Sequence, residues 1–310
     1  MTKTLRIATR ESQLALWQAE HVRERLLADD PGLTVELLPM KTRGDKILDV
    51  PLAKIGGKGL FLKEIQAALL RGDADVAVHS MKDVPAEPAD GLELVATTTR
   101  ADPMDALCSR VGTFDELPQG AHIGTSSVRR TAQLKHLRPD LRISSLRGNV
   151  NTRLRKLDDG EFDAIVLAAA GLTRLGFDER ITERLVPPRF LPAVTQGVLA
   201  IEVRAGDDAT AERVRRVLHD SEEAPAVAAE RAFLARLEGS CQTPLACYAR
   251  VEGGELVADG LLADLEGSTI LRESVRGPLV DGAALGKGLA ETLLDRGGSE
   301  ILAAIASTDS

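Results

Sequence analysis

Val76-Ala77-Val78-His79-Ser80-Met81-Lys82-Asp83-Val84-Pro85 decides how the chain is read. Its first residues form the short apolar run of a buried strand, and that strand opens directly onto a Lys-Asp pair. Working backward, residues 59–70 read as a helix that Arg71-Gly72 stops. Residues 34–40 read as another strand, placed after the break at Pro31-Gly32. Residues 12–28 read as a helix capped by Ser12, with Leu14, Leu16, Trp17, Val22 and Leu26 apolar, and residues 5–9 as the first strand. This β-α-β-α-β order predicts a mostly parallel sheet with helices on both faces. Residues 42–59 hold Gly44, Pro51, Gly56, Gly57 and Gly59 among charges, the length and composition of a mobile lid loop.

The pattern starts again near residue 102, with strands at 121–124, 141–145 and 164–169 and helices at 127–137 and 149–158. After Pro187-Pro188, a strand at 200–204 is placed to return to the first lobe. The remainder differs: a helix at 224–237, strands at 249–251, 255–262 and 269–275, and a helix at 283–295, in a region rich in Asp and Glu. The expected division is domain 1, residues 1–98 and 194–216; domain 2, residues 99–193; and domain 3, residues 217–310. No internal sequence repeat is evident. Two α/β lobes with crossing connections imply a ligand cleft.

A chain of 310 residues with 44% hydrophobic and 28% charged residues is globular. Its net charge of -8 and 3% aromatics disfavour nucleic acid or a membrane surface as partner. No apolar run approaches the ~20 residues of a membrane span. The N-terminus lacks a signal-peptide pattern, so the expected location is cytoplasmic. Three cysteines, Cys108, Cys241 and Cys247, argue against a disulfide framework. The five residues between Cys241 and Cys247, with scattered histidines, argue against a metal site.

Within this acidic chain, residues 120–157 carry Arg129, Arg130, Lys135, Arg138, Arg142, Arg147, Arg153, Arg155 and Lys156 against a single Asp140. Gly124-Thr125-Ser126-Ser127 follows a strand and opens a helix, offering hydroxyls and backbone N–H groups to an anion. Arg147-Gly148-Asn149 repeats the arrangement. Arginine grips carboxylates with two parallel bonds, so the set suits a substrate with several carboxylates. Arg129, Arg130, Arg147 and Arg153 are therefore expected to bind anions, and Arg138 and Arg155 to line solvated faces. Asp83 suits a developing cation or a proton transfer, with Lys82 binding substrate, or else is an ordinary turn residue. Cys241, among small residues after a helix, is either a nucleophile or covalent anchor, or a buried inert thiol. Lys58 with Gly56, Gly57 and Gly59 lacks the spacing of a phosphate loop.

Nine segments in order are similar to the porphobilinogen deaminase family: Arg6-Ile7-Ala8-Thr9-Arg10 with Ser12; Thr42-Arg43-Gly44-Asp45; Gly56-Gly57-Lys58-Gly59-Leu60-Phe61; His79 to Pro85; Gly124 to Ser127 with Arg129-Arg130; Leu146-Arg147-Gly148-Asn149-Val150; Ala168-Ala169-Ala170-Gly171-Leu172 with Arg174; Pro192-Ala193-Val194 with Gln196-Gly197; and the Cys241 loop. The resemblance implies a fold of class α/β, two periplasmic-binding-protein-like doubly wound lobes plus a small C-terminal α+β domain. It implies a transferase that joins four porphobilinogen molecules head to tail, losing ammonia each time, to give hydroxymethylbilane. The primer would be a dipyrromethane cofactor held through a thioether to Cys241. Asp83 would be catalytic, protonating the leaving amine and stabilising the azafulvene cation. Lys82, Thr125, Ser126, Ser127, Arg129, Arg130, Ser144, Arg147 and Gly148 would hold the cofactor. Arg10, Ser12, Phe61, Arg147, Arg153, Ala168, Arg174 and Gln196 would hold substrate, with Lys54 and Lys58 on the lid loop. A monomer is implied, passing its product to uroporphyrinogen-III synthase. Ser240, Thr195 and Ala200 stand where the family commonly has glycine, and Gln13 where it commonly has proline. Two hinged lobes are also the architecture of periplasmic-type anion-binding proteins, which need neither Cys241 nor Asp83.

Overall fold

A computed structural model describes residues 4–42, 62–240 and 242–308. They fall into two compact units: residues 4–42, 62–101 and 197–224, and residues 102–196, 225–240 and 242–308.

The first unit is a five-stranded sheet of β1 (Thr4–Arg10), β2 (Thr34–Met40), β3 (Val76–Ser80), β4 (Leu92–Thr97) and β10 (Leu199–Arg204), in the order β2-β1-β3-β10-β4. Leu5, Ile7, Val76, Val78, Ile201 and Val203 pack with Val22 and Leu26 of α1 (Gln13–Asp29) and Val214 of α6 (Asp208–Leu218). Ala8 and Ala77 point the other way, onto Ile65 and Leu69 of α2 (Lys63–Arg71). Strand alternation thus fills both faces, each buried Leu, Ile or Val contributing about 1.5–3 kcal/mol. Ser12 caps α1, its hydroxyl accepting from Ala15 N at 3.4 Å, and Gly72 ends α2 in the left-handed region, as the sequence predicts.

In the second unit a lobe of β5 (Asp105–Ser109), β6 (His122–Gly124), β7 (Arg142–Ser144), β8 (Ala164–Ala168) and β9 (Glu183–Leu185) has the order β7-β6-β8-β5-β9. It carries α3 (Val128–Leu137), α4 (Val150–Asp158) and α5 (Ala169–Arg174). The same unit holds an antiparallel sheet of β11 (Leu245–Glu252), β12 (Glu255–Ala263) and β13 (Ile270–Pro278). That sheet packs with α7 (Ala224–Arg236) and α8 (Gly282–Leu293) around Phe233, Leu256, Leu262, Leu289 and Leu293, and α9 (Ser299–Thr308) follows. Lobe and small sheet share a core of Ala132, Leu191, Ala246, Leu261 and Ala263. Gly267, at φ +71°, seals that join: a Cβ there would lie 2.1 Å from Ala132 O.

The expectation of a mostly parallel sheet is borne out: four strands of each five-stranded sheet run one way, and a single strand, β10 or β5, runs against them. In each five-stranded sheet two pairings are parallel and two antiparallel, because β10 runs against β3 and β4, and β5 against β8 and β9. The two lobes also repeat one topology without repeating sequence. β1 and β6 are equivalent, as are β3 and β8, so Ser12 and Ser127 follow equivalent strands.

Thr195 stands at φ +56°. A left-handed backbone costs a non-glycine residue about 1–2 kcal/mol, while glycine's greater freedom in the unfolded chain returns about 0.5–1 kcal/mol. Thr195→Gly is therefore expected to stabilise the protein by about 0.5–1 kcal/mol. Thermal unfolding of the two proteins side by side checks this, and a lower Tm for the variant would contradict it.

Candidate active site

In the first unit β1 ends at Arg10, which is half-buried, and Ser12 caps the helix that follows. β3 ends at Ser80 and runs into a 3-10 turn, Met81–Asp83, that leaves Lys82 half-buried and Asp83 exposed. This turn is anchored from both sheet faces. Gln18 Nε2 donates to Ser80 Oγ at 2.9 Å, and His79 Nε2 lies 2.9 Å from the buried Glu202, which also accepts from Gln66 at 3.1 Å. Met81 N donates to Val198 O at 3.0 Å.

In the second unit three strand ends carry the predicted residues. After β6, Thr125 is buried and its N–H donates to Ser144 O at 3.0 Å. Ser126 Oγ donates to Leu146 O at 2.7 Å. Ser127 Oγ accepts from Arg130 N at 3.4 Å, capping α3. After β7, Ser144 is exposed with its Oγ 2.9 Å from His122 Nε2. Gly148 stands at φ +117°, and a Cβ there would meet Thr152 at 2.8 Å, so this turn requires glycine. Asn149 caps α4 through Thr152 N at 2.9 Å, and Arg153 Nε donates to Gly148 O at 2.8 Å. Arg147 is half-buried, and that burial pulls its pKa down. After β8 come half-buried Ala168 and Arg174, the latter drawn down by burial to about 10 and so still a cation at neutral pH. Residues 120–139, 141–157 and 164–177, which carry these loops, contain no Asp or Glu.

Arg129, Arg130 and Gln196 are placed differently from the sequence expectation. All three are buried, and their polar ends meet at Asp105, which has no exposed surface. Arg129 Nη1 donates to Asp105 Oδ2 at 2.6 Å and to Leu191 O at 2.6 Å. Arg130 Nε donates to Asp105 Oδ1 at 2.8 Å and its Nη1 to Val166 O at 2.8 Å. Gln196 Nε2 reaches Asp105 Oδ1 at 3.2 Å. Burial would raise the Asp105 pKa, but the two guanidiniums outweigh it and hold the carboxyl well below the usual range. The stability this provides is present above the ordinary Asp value of about 4 and is lost as pH falls below it. Two cations against one anion leave the cluster with net positive charge under the Ser127 cap. Sequence reading missed Asp105 because nothing local marks it. Arg138, expected on a solvated face, instead pairs with Asp140 at 2.7 Å and reaches Leu117 O, whereas Arg155 is exposed as expected. Phe61, Lys54, Lys58 and Cys241 lie outside the described residues. Among the described residues no His, Cys, Asp or Glu cluster could hold a metal ion, and no helix is long and apolar enough to cross a membrane.

The fold defines an α/β protein with a five-stranded lobe in each unit, one presenting an exposed acid at a strand end and the other hydroxyls and guanidiniums on acid-free loops. Family models described as "Porphobilinogen deaminase, dipyromethane cofactor binding domain" and "Porphobilinogen deaminase, C-terminal domain" match residues 5–212 and 224–295. The chain belongs to the porphobilinogen deaminase family. It is 55% identical over 305 residues to the porphobilinogen deaminase of Syntrophotalea carbinolica, covering 98% of this chain and 96% of that one. It is 54% identical over 301 residues to that of Geobacter sulfurreducens, covering 97% and 94%. Among solved structures, the methionine-binding protein MetQ aligns at a TM-score of 0.46 and 15% identity, over 69% of this chain and 89% of that one.

The family's cofactor is a dipyrromethane, and the donor set suits it. Acid-free loops carrying guanidiniums, hydroxyls and capped helix starts match the carboxylates that each pyrrole bears.

Proposed function

We propose that the chain joins four porphobilinogen molecules head to tail, with loss of ammonia, into hydroxymethylbilane on a dipyrromethane attached to Cys241. One observation carries this reading: in the second unit three strand ends present cations and hydroxyls on acid-free loops, and Asp105, buried behind them, is neutralised by Arg129 and Arg130. Lys82, Thr125, Ser126, Ser127, Ser144, Arg147 and Gly148 hold the carboxylates of the cofactor. Arg10, Ser12, Arg153, Ala168 and Arg174 line the substrate position. Arg129 and Arg130 add positive charge from behind, and Gln196 supports them. When bound, the dipyrromethane supplies the pyrrole carbon to which substrate is joined. Asp83 donates a proton from its carboxyl to the departing amine, and its negative charge then offsets the positive charge left behind.

The working form in this reading is a cytoplasmic monomer of three domains, residues 1–98 with 194–216, 99–193 and 217–310. Three sparse cysteines suit a reducing compartment. Its open-chain product passes to a cyclising enzyme, uroporphyrinogen-III synthase.

Intact mass with thiol labelling tests the attachment. The purified protein is expected to carry an adduct of two pyrrole units, and labelling at pH 8 to leave Cys108 untouched. Cys108 is fully buried and its thiol is pushed up to about 11. Cys247 is also fully buried. In cofactor-free protein one thiol, Cys241, should react. An active enzyme with the bare chain mass would overturn the reading.

A further inference from the structure

Two carboxylates without exposed surface, Asp105 and Glu230, grip one short piece of chain, Thr195-Gln196, itself 1% exposed at each residue. Gln196 closes a turn onto Ala193 O at 3.0 Å, and its side-chain Nε2 donates to Pro103 O at 2.7 Å and to Asp105. Glu230, on α7, accepts the Thr195 N–H on Oε2 and the Ala249 N–H on Oε1 at 2.8 Å. Asp105 in turn holds Arg129 and Arg130, in the first turn of α3. The network therefore runs from the capped start of α3, through residues 195 and 196, to α7 and β11. α7 is the helix whose end leads to Ser240, the residue before Cys241.

Apolar contacts would join these elements with less penalty than two desolvated carboxylates. What a carboxylate adds is orientation, since each oxygen accepts from a separate donor and fixes it in direction. We propose that Asp105 and Glu230 are positioning residues that form a clasp. Through Thr195-Gln196 they hold the α3 start, with Ser127, Arg129 and Arg130, in one fixed relation to the helix leading to the cofactor cysteine. This rests on the reading that the α3 start faces ligand carboxylates. A small misplacement of such groups weakens substrate binding with little loss of fold.

The test uses holoenzyme. Glu230→Gln keeps the size of the side chain but leaves one acceptor oxygen, so either Thr195 N or Ala249 N loses its partner. The Cys241 adduct is expected to remain by mass. Amide hydrogen exchange at Thr195 and Ala249 should accelerate, and KM for porphobilinogen should rise about tenfold with a smaller change in kcat. Asp105→Asn should raise KM similarly, and the double variant should be no worse than the poorer single, because both act through one clasp. If Glu230→Gln does not fold, Glu230→Asp keeps the charge but is too short to span both amides, and the same two shifts are expected. Faster exchange at these amides with KM within twofold of the parent would overturn the proposal, as would effects on KM that multiply in the double variant. Failure of the underlying reading shows separately, as a parent enzyme without the adduct.

Discussion

Asp83→Ala is expected to lower kcat by about three orders of magnitude, within the range that a positioned acid-base group supplies, while fold and cofactor stay in place. The turn that presents Asp83 is held by bonds its own carboxyl does not make. Gln18 secures Ser80 at 2.9 Å from one face of the sheet, His79 and Gln66 meet on Glu202 from the other, and Val84 N closes on Met81 O at 3.0 Å. The side chain itself is exposed, and trimming an exposed carboxyl away from such bonds changes stability by less than about 0.5 kcal/mol. Asp83→Asn keeps the shape but neither donates a carboxyl proton nor offers a charge, so it should fall almost as far. Steady-state rates, intact mass and Tm on the same preparations separate chemistry from folding. A kcat within tenfold of the parent, with the adduct present, would remove Asp83 from the acid's role.

Much of the architecture is legible in the sequence because its signals are local. Ser12, Ser127 and Asn149 each precede an apolar periodic stretch, and each caps a helix in the structure. β2 spans Thr34–Met40, as read after the break at Pro31-Gly32. The return of residues 199–204 to the first sheet is also borne out. What escapes is what depends on distant partners. The antiparallel sense of β10 and β5 follows from where crossing connections leave and enter each sheet, and no strand's own residues encode it. α6 lies between the strand read at 200–204 and the helix read at 224–237 and goes unread, although Asp207 caps it and Ala211, Val214 and Leu218 bury its inner face. Arg129 and Arg130 look like ligand donors from spacing alone, because their counterion Asp105 is 24 and 25 residues away. A basic block in sequence thus overstates how many guanidiniums face a ligand: some serve the interior and hold the others in place.

Arg147→Leu is expected to lower kcat/KM by about a hundredfold. The estimate comes from one charge-assisted bidentate contact, worth about 1.5–3 kcal/mol, with tenfold per 1.4 kcal/mol. Arg147 follows β7 at a loop held by several features besides its guanidinium. Gly148 supplies the positive φ, Asn149 caps α4 through Thr152 N at 2.9 Å, and Arg153 Nε fastens onto Gly148 O at 2.8 Å. Leucine matches the half-buried stem of the side chain, so the loop should persist while carboxylate binding is lost. Burial already weighs against the Arg147 cation, which makes an arriving carboxylate a better partner than it would be on an open surface. Arg147→Lys restores charge without the planar fork and should recover only part of the loss. Because this residue is assigned to both cofactor and substrate, the variant should also accumulate cofactor-free chain, visible by intact mass beside the slowed turnover. A fully loaded Arg147→Leu enzyme with parental kcat/KM would place Arg147 outside the site.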